Sequence, residues 1–339
     1  MKPSSPSSDR FAVARSHALR GCAFMLGMAV VVGVQAQAPA GSYPNRPVRL
    51  VVPYAPGGNI DITGRIIGPA MSDALGVSFV VDNRAGAGGT IATDIAAKSP
   101  PDGYSLLLCG IWSHGVAPSL YKKLPYDHYR DFAPVSLIGT TPNVLVVNPN
   151  VPVKSVSEFI AFTKANDGKV SIAHPGAGSS PHMTLELFRL ATGVNVVPVP
   201  YKGGAPALVD LLGGHIPAMF DNMSTQLSVI KSGRTRALAV TSPKRTSHLP
   251  DVPTMLESGV AVDVTVWYGL CAPAALPKPI LAKLNADLHK ALNSPDAQRR
   301  LIEQGVDPAP STPEQFAAFI RAETEKWAKV VKEAGVPQQ

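Results

Sequence analysis

Three glycine turns hold most of the residues able to meet a ligand. They are Pro53-Tyr54-Ala55-Pro56-Gly57-Gly58-Asn59-Ile60-Asp61, His174-Pro175-Gly176-Ala177-Gly178-Ser179-Ser180-Pro181 and Val199-Pro200-Tyr201-Lys202-Gly203-Gly204. Each follows a short apolar run and precedes apolar residues at helical spacing. Such a turn leaves backbone N–H groups without partners at the positive end of a helix dipole. Glycines let a ligand come close to the backbone, and the ligand suited to such a place is an anion. Ser179 and Ser180 add hydroxyl donors. The implied chemistry is reversible capture. A nucleophile–base set would show as G-x-S-x-G, H-E-x-x-H or a clustered carboxylate pair, and none stands out. The first turn has no Lys-Ser/Thr after its glycines and no G-x-G-x-x-G, so it is neither a nucleotide loop nor a dinucleotide fingerprint.

Single side chains around these turns complete the candidate site. Tyr54 and Tyr201 are expected to wall a cleft with their rings. Trp112, in Ile111-Trp112-Ser113-His114, is suited either to stack on an aromatic ligand or to serve as a core residue. His174 is expected to face the cleft and offer a cationic or neutral donor to a carboxylate. His114 and His182 read as an ordinary loop residue and a helix-start residue. Asp221, followed by Asn222, is expected either to accept a ligand amine or hydroxyl or to hold neighbouring N–H groups. Asn59 reads as the N-cap of the first helix.

The elements that position these residues alternate. Val48–Val52, Val77–Val81, Tyr104–Cys109, Val170–Ala173, Pro217–Phe220, Arg236–Val240 and Val264–Leu270 read as strands, with helices between most of them. That alternation predicts an α/β fold with mostly parallel sheets. Thr141-Pro142 reads as a break before a further strand at Asn143–Asn148. Ser155 with Glu158 three residues on makes a capping box, and Pro181 is expected at the first helical position.

The chain has 339 residues, 45% of them hydrophobic and 16% charged, enough for a sizeable core in two domains. Part of the +7 formal charge sits at the front, where Lys2, Arg10, Arg15 and Arg20 face only Asp9. Elsewhere no stripe of Lys/Arg with interleaved aromatics marks a nucleic-acid partner. The basic front, the apolar run Gly21–Val34 and the small residues at Ala36 and Ala38 predict a secretory signal peptide over residues 1–38. Cys22 precedes the apolar run and is badly placed for lipid attachment. Cys109 and Cys271 remain in the mature chain. An exported compartment permits a disulfide, but two buried free thiols are the expectation. No Cys/His spacing suggests a metal, and no cofactor is expected.

Several segments, in this order, resemble one family. They include Pro56-Gly57-Gly58 with Asp61, Asn83-Arg84 with Gly86-Ala87-Gly88-Gly89, and Pro101-Asp102-Gly103-Tyr104. Further on come Asp131-Phe132-Ala133-Pro134-Val135, Asp210-Leu211-Leu212-Gly213-Gly214, Phe220-Asp221-Asn222 and Leu249-Pro250-Asp251-Val252-Pro253-Thr254. The chain is similar, from about Tyr43 to Gly335, to the extracytoplasmic solute receptors of tripartite tricarboxylate transporters, the Bug type. That resemblance implies a two-lobed, type II-like periplasmic binding protein that closes on a ligand held between its lobes. The implied division is 39–141 and 265–339 in one lobe and 142–264 in the other. The implied ligand is a small carboxylate: a di- or tricarboxylate, an acidic amino acid or an aromatic acid. It would pass to membrane transporter subunits, or its occupancy to a sensor kinase, and a monomer is expected. The expected ligand-binding set, read from the residues, is Tyr54, Gly57, Gly58, Asn59, Asp61, Ile111, Trp112, Ser113, His174, Gly176, Gly178, Ser179, Ser180, Tyr201, Asp221 and Asn222. The sequence departs from the family at Asn59-Ile60, Ile111–His114 and His174-Pro175.

Overall fold

The computed structural model describes residues 43–339 apart from 177, 334, 337 and 339. The predicted signal peptide, and Ala177 of the second turn, lie outside the described residues. The chain begins with β1 (Val48–Val52), α1 (Asn59–Leu75), β2 (Phe79–Asn83), α2 (Thr90–Ala97), β3 (Ser105–Gly110) and α3 (Ala117–Leu120). A long β4 (Phe132–Val147) leads to α4 (Val156–Ala165), β5 (Ser171–His174), α5 (Ser180–Thr192), β6 (Val197–Pro200), α6 (Gly204–Leu212), β7 (Ala218–Asn222), α7 (Met223–Lys231) and β8 (Arg236–Val240). After a loop come β9 (Thr265–Pro273), α8 (Lys278–Leu292), α9 (Pro295–Glu303), β10 (Asp307–Pro308) and α10 (Pro313–Glu333).

Strand order is β2-β1-β3-β9-β4-β7-β5-β6, with β8 and β10 also pairing to β4. The pairing is mixed. β1 runs parallel to β2 and β3, and β5 parallel to β6 and β7. The long strands β4 and β9 run antiparallel to each other and to their other neighbours. β4 changes partners midway. Phe132–Pro142 pairs with β9, and Asn143–Val147 pairs with β7 and β8. The expected break at Thr141-Pro142 is therefore corrected: the strand runs straight through. Proline lacks an N–H and is tolerated at an irregularity, and Pro142 sits where the ladder passes from one partner set to the next. The Asn143 N–H beyond it bonds the Thr241 hydroxyl at 2.9 Å.

Burial explains why these segments form these elements. Val48, Leu50, Val51 and Val52 of β1 are fully buried, as a strand covered on both faces should be. Ile60, Ile66, Ile67, Met71 and Leu75 make the inward stripe of α1, which ends at Gly76 in the left-handed region (φ 74°). Asn59 is not its N-cap. That position falls to Gly58, and Asn59 is the first helical residue. Pro181 is likewise the second residue of α5 rather than the first, because Ser179 caps that helix by accepting from the His182 N–H. The Ser155 cap is present, while Glu158 reaches back to the Lys154 N–H at 2.6 Å.

Cys109 of β3 and Cys271 of β9 form a disulfide, which corrects the expected free thiols. Sequence could not place two residues 162 apart in bonding reach. The antiparallel β3–β9 ladder pairs Leu107 with Cys271 and brings the two Cα atoms to 5.9 Å. His114 also has a ring nitrogen within 4.8 Å of both sulfurs, but sulfurs joined to each other do not offer thiolates to a metal.

Candidate functional site

The first turn is built around Asp61. Its carboxylate accepts from the Gly57 N–H (2.9 Å), Arg65 Nε (2.8 Å) and Asn83 Nδ2 (2.9 Å), and Asn83 also donates to the Tyr54 carbonyl. Burial pushes the Asp61 pKa up, but Arg65, the Gly57 amide and Asn83 together hold it below the usual carboxylate value. Asp61 is 2% exposed and shapes the loop from beneath. Gly57 takes φ 87°, which glycine adopts without strain. The amides of Gly58 and Asn59 have no partner among the described residues.

Asn59 reaches across to the next strand group. Its Nδ2 donates to Asn222 Oδ1 (2.8 Å) and to the Tyr268 hydroxyl (3.0 Å). Asn222 Nδ2 in turn donates to Asn143 Oδ1 (2.7 Å) and Ser180 Oγ (3.2 Å). Asn143 Nδ2 donates to Thr184 Oγ1 at 2.7 Å. One chain of amides and hydroxyls therefore joins the start of α1, the end of β7, the partner change of β4 and the start of α5. Replacing Asn59 by Ala leaves the Asn222 carbonyl oxygen without that donor. The expected cost is about 1–2 kcal/mol of unfolding free energy, read from a urea midpoint. An unchanged midpoint would show that the link contributes nothing.

A gap of about 100 Å³ lies beside this chain, lined by Tyr54, Gly88, Trp112, Val116, Leu120 and Tyr121 on one side and by Pro175, Gly176, Gly178 and Ser179 on the other. Trp112 sits on a π-helical turn, Ile111–Val116, directly after β3. Glycines seat its ring: a Cβ at Gly110 would come within 2.3 Å of the indole, and one at Gly89 within 3.3 Å. The ring packs edge-on to Tyr54 at 5.7 Å and lies 6.0 Å from Tyr268. Trp112 is only 7% exposed, and its Nε1–H has no acceptor among the described residues. It is therefore both a packed residue and part of the gap wall.

His174 differs from the expectation of cleft exposure: it is buried. Its ring stacks on His182 at 4.5 Å, and its Nδ1 lies 3.1 Å from the Gly176 carbonyl oxygen. Burial, reinforced by the neighbouring His182, lowers its pKa to about 4, so it is neutral at pH 7 and offers no cation. His182 Nδ1 accepts from the Gly178 N–H, and burial lowers its pKa as well. The two histidines hold the second turn from behind. Ser179 Oγ donates to the Gly176 carbonyl. Much of this turn's hydrogen bonding is thus already internal.

Other candidates fall away from the gap. Ile111 and Ser113 are buried within the π-helical turn, Ser113 Oγ lying 2.8 Å from His114 Nδ1. The Tyr201 hydroxyl donates to Asp210 Oδ2 at 2.6 Å, which raises its pKa to about 12, and its ring packs on the β5–β7 side. Asp221 is buried and accepts from the Asn222 N–H, Thr225 Oγ1 and Gln226 Nε2. Burial raises its pKa against those three donors. It holds the start of α7. Sequence reasoning passed over Asn143, Thr184, Tyr268, Tyr121 and Leu120. Tyr268 had a visible signal in Trp267-Tyr268-Gly269, while the others carry none until the strands pair. A larger surface groove of about 450 Å³ beside Glu158 and Arg236 contains no residue of the three turns.

Residues 63–336 match the family described as tripartite tricarboxylate transporter family receptor. The chain is 42% identical over 305 residues to BugT of Bordetella pertussis, covering 89% of this chain and 94% of that protein. Among solved structures, it is similar to the periplasmic binding protein BugD at 39% identity, with a TM-score of 0.80 over 88% of this chain and 100% of the other. It is similar also to Rpa4515 of R. palustris, solved with adipate, at 36% identity, with a TM-score of 0.81 over 86% and 98%. The fold is the two-lobed α/β fold of periplasmic binding proteins, and the matching proteins are solute-binding receptors rather than enzymes.

Proposed function

Because the chain belongs to the tripartite tricarboxylate transporter receptor family, we propose that it captures a small carboxylate in the periplasm and delivers it to the membrane subunits of such a transporter. The observation that carries this reading is the gap between the Tyr54–Trp112 wall and Pro175, Gly176, Gly178 and Ser179 of the second turn. Gly58 and Asn59 open α1, and Ser179 and Ser180 open α5, and the two helix starts are joined through Asn222, which bonds both Asn59 and Ser180. Hydrogen bonds to a charged group contribute roughly 1.5–3 kcal/mol each, and about −8.2 kcal/mol is micromolar affinity. A few such bonds suffice without an arginine.

The proposed lobes are 39–141 with 265–339, and 142–264. The proposed hinge lies where β4 changes partners, near Thr141–Asn143, and where the chain returns at Val264–Thr265. Closure about that hinge would narrow the gap on the ligand. A thermal-shift screen over mono-, di- and tricarboxylates, aromatic acids and acidic amino acids tests the reading. A ligand at a hundred times its dissociation constant adds about 2.7 kcal/mol of stability and shifts the unfolding temperature upward. With that ligand at saturation, small-angle scattering should report a smaller radius of gyration. No shift with any carboxylate overturns the assignment, and a shift without compaction removes the hinge.

A further inference from the structure

The side chain of Asn59 bridges two parts of the fold. Its Nδ2 donates to Asn222 Oδ1 at 2.8 Å and to the Tyr268 hydroxyl at 3.0 Å, and its Oδ1 accepts from the Ile60 N–H at 2.9 Å. The amide is thus held from three sides. Tyr268 belongs, like Asn59, to the proposed lobe of 39–141 with 265–339, whereas Asn222 belongs to 142–264. On β4, Tyr268 pairs in register with Gly139, before the partner change, and Asn222 with Asn143, beyond it. The two acceptors therefore straddle the proposed hinge, and Asn59 spans it. Asn222 is fixed from its own side by Asn143 Oδ1 and Ser180 Oγ, so it cannot swing freely after Asn59. A second polar contact crosses the same boundary, His248 Nε2 at 3.2 Å from Asp307 Oδ1, but Asp307 is half exposed and water competes there.

We propose that Asn59 is a positioning residue for closure: by joining Tyr268 to Asn222 across the hinge, it holds the two lobes at the angle that narrows the gap. This rests on the hinge reading given above. A rotation that widens the gap carries Asn222 away from Asn59 and hands both amides to water. Hydrogen bonds are short-ranged. A contact at about 3.6 Å is no longer one, so a displacement of roughly 1 Å breaks the Asn59–Asn222 bond. The bond therefore exists on one side of the closure equilibrium only, and its free energy goes into the population of the closed form. Apparent affinity scales with that population, because only the competent fraction of the protein binds. Asn59 thus acts on binding through the angle of the lobes and without contact to the ligand. An aspartate at this position keeps the size of the side chain, loses both amide protons, and sets a carboxylate against Asn222 Oδ1.

Distances between two spin labels, measured by pulsed dipolar spectroscopy on the purified protein without added solute, test this. Exposed Lys122 and Lys202 are replaced by labelled cysteines; Cys109 and Cys271 are buried and joined and do not react. Lys122 follows gap-lining Tyr121, and Lys202 precedes Gly203, whose N–H bonds the Pro175 carbonyl, so the pair reports the width of the gap. Asn59→Asp, Asn59→Ala and Asn222→Ala should each lower the ratio of short to long distances about three- to tenfold. The double variant Asn59→Ala with Asn222→Ala should lower it no further than one of its single changes, since both remove the same bond. A merely structural role would move the urea midpoint and leave the distances alone. Distances unchanged in every variant overturn the role of Asn59 and leave the hinge itself to the scattering measurement with ligand. Effects that multiply in the double variant show two independent residues and overturn the bridge.

Discussion

Between pH 6.5 and about 4 the protein is expected to lose stability by roughly 1.4 kcal/mol per pH unit for each histidine kept neutral by the fold. Burial lowers His114 to about 3, and burial with His182 nearby lowers His174 to about 4. His128 and His182 are lowered as well, chiefly by burial. In the unfolded chain these groups take protons near pH 6.5, while in the folded chain they do so at lower pH, His174 at about 4 and His114 at about 3. Below pH 6.5 the unfolded state therefore binds more protons, and stability, fully present above that pH, falls as pH falls. His114 and His174 alone give a combined slope of roughly 2–3 kcal/mol per pH unit. Asp221 works in the opposite sense, since its raised pKa means the folded state takes its proton first. One buried carboxyl does not offset several histidines. Urea unfolding at pH 7, 6 and 5 measures the effect, and a flat unfolding free energy across that range would exclude it. The consequence reaches the site, because His174 and His182 hold Gly176 and Gly178 from behind. Ligand affinity of the folded protein should fall only near and below about pH 4, where His174 takes its proton in the folded state.

Replacing both cysteines with alanine should lower stability by about 2–5 kcal/mol. Cys109 and Cys271 are fully buried and close a loop between residues 162 apart, so the bond restricts a large part of the unfolded chain. It also joins β3 to β9 immediately before Gly110 and the Trp112 turn. Loosening that junction should therefore weaken ligand binding as well as the fold. Urea midpoints of parent and double variant compare the stabilities directly. A thiol titration of the native parent should find neither cysteine reactive. A difference below about 0.5 kcal/mol, or two reactive thiols in the folded parent, would remove the bond from the account of stability.

The sequence by itself determined the alternation of strands and helices, because branched apolar runs and glycine stops are local signals. It determined that turns such as Pro56-Gly57-Gly58 and Gly176 to Ser180 open helices, since the preference for glycine and small hydroxyl residues there is a backbone matter. The family resemblance was legible for the same reason: its motifs are turns. The tertiary structure alone decided which side chains meet. Asp61 and Asp221 sit at turns yet face inward, because each finds several N–H or O–H donors within a few residues or across one strand. His174 lost its expected exposure to the stack with His182, a contact between the end of β5 and the first turn of α5. Asn59, Asn143, Asn222 and Tyr268 converge only because β4 and β9 run antiparallel and β4 changes partners at Pro142. Cys109 and Cys271 come into reach through that same antiparallel ladder. Register between distant strands depends on long-range pairing, which no local residue pattern records.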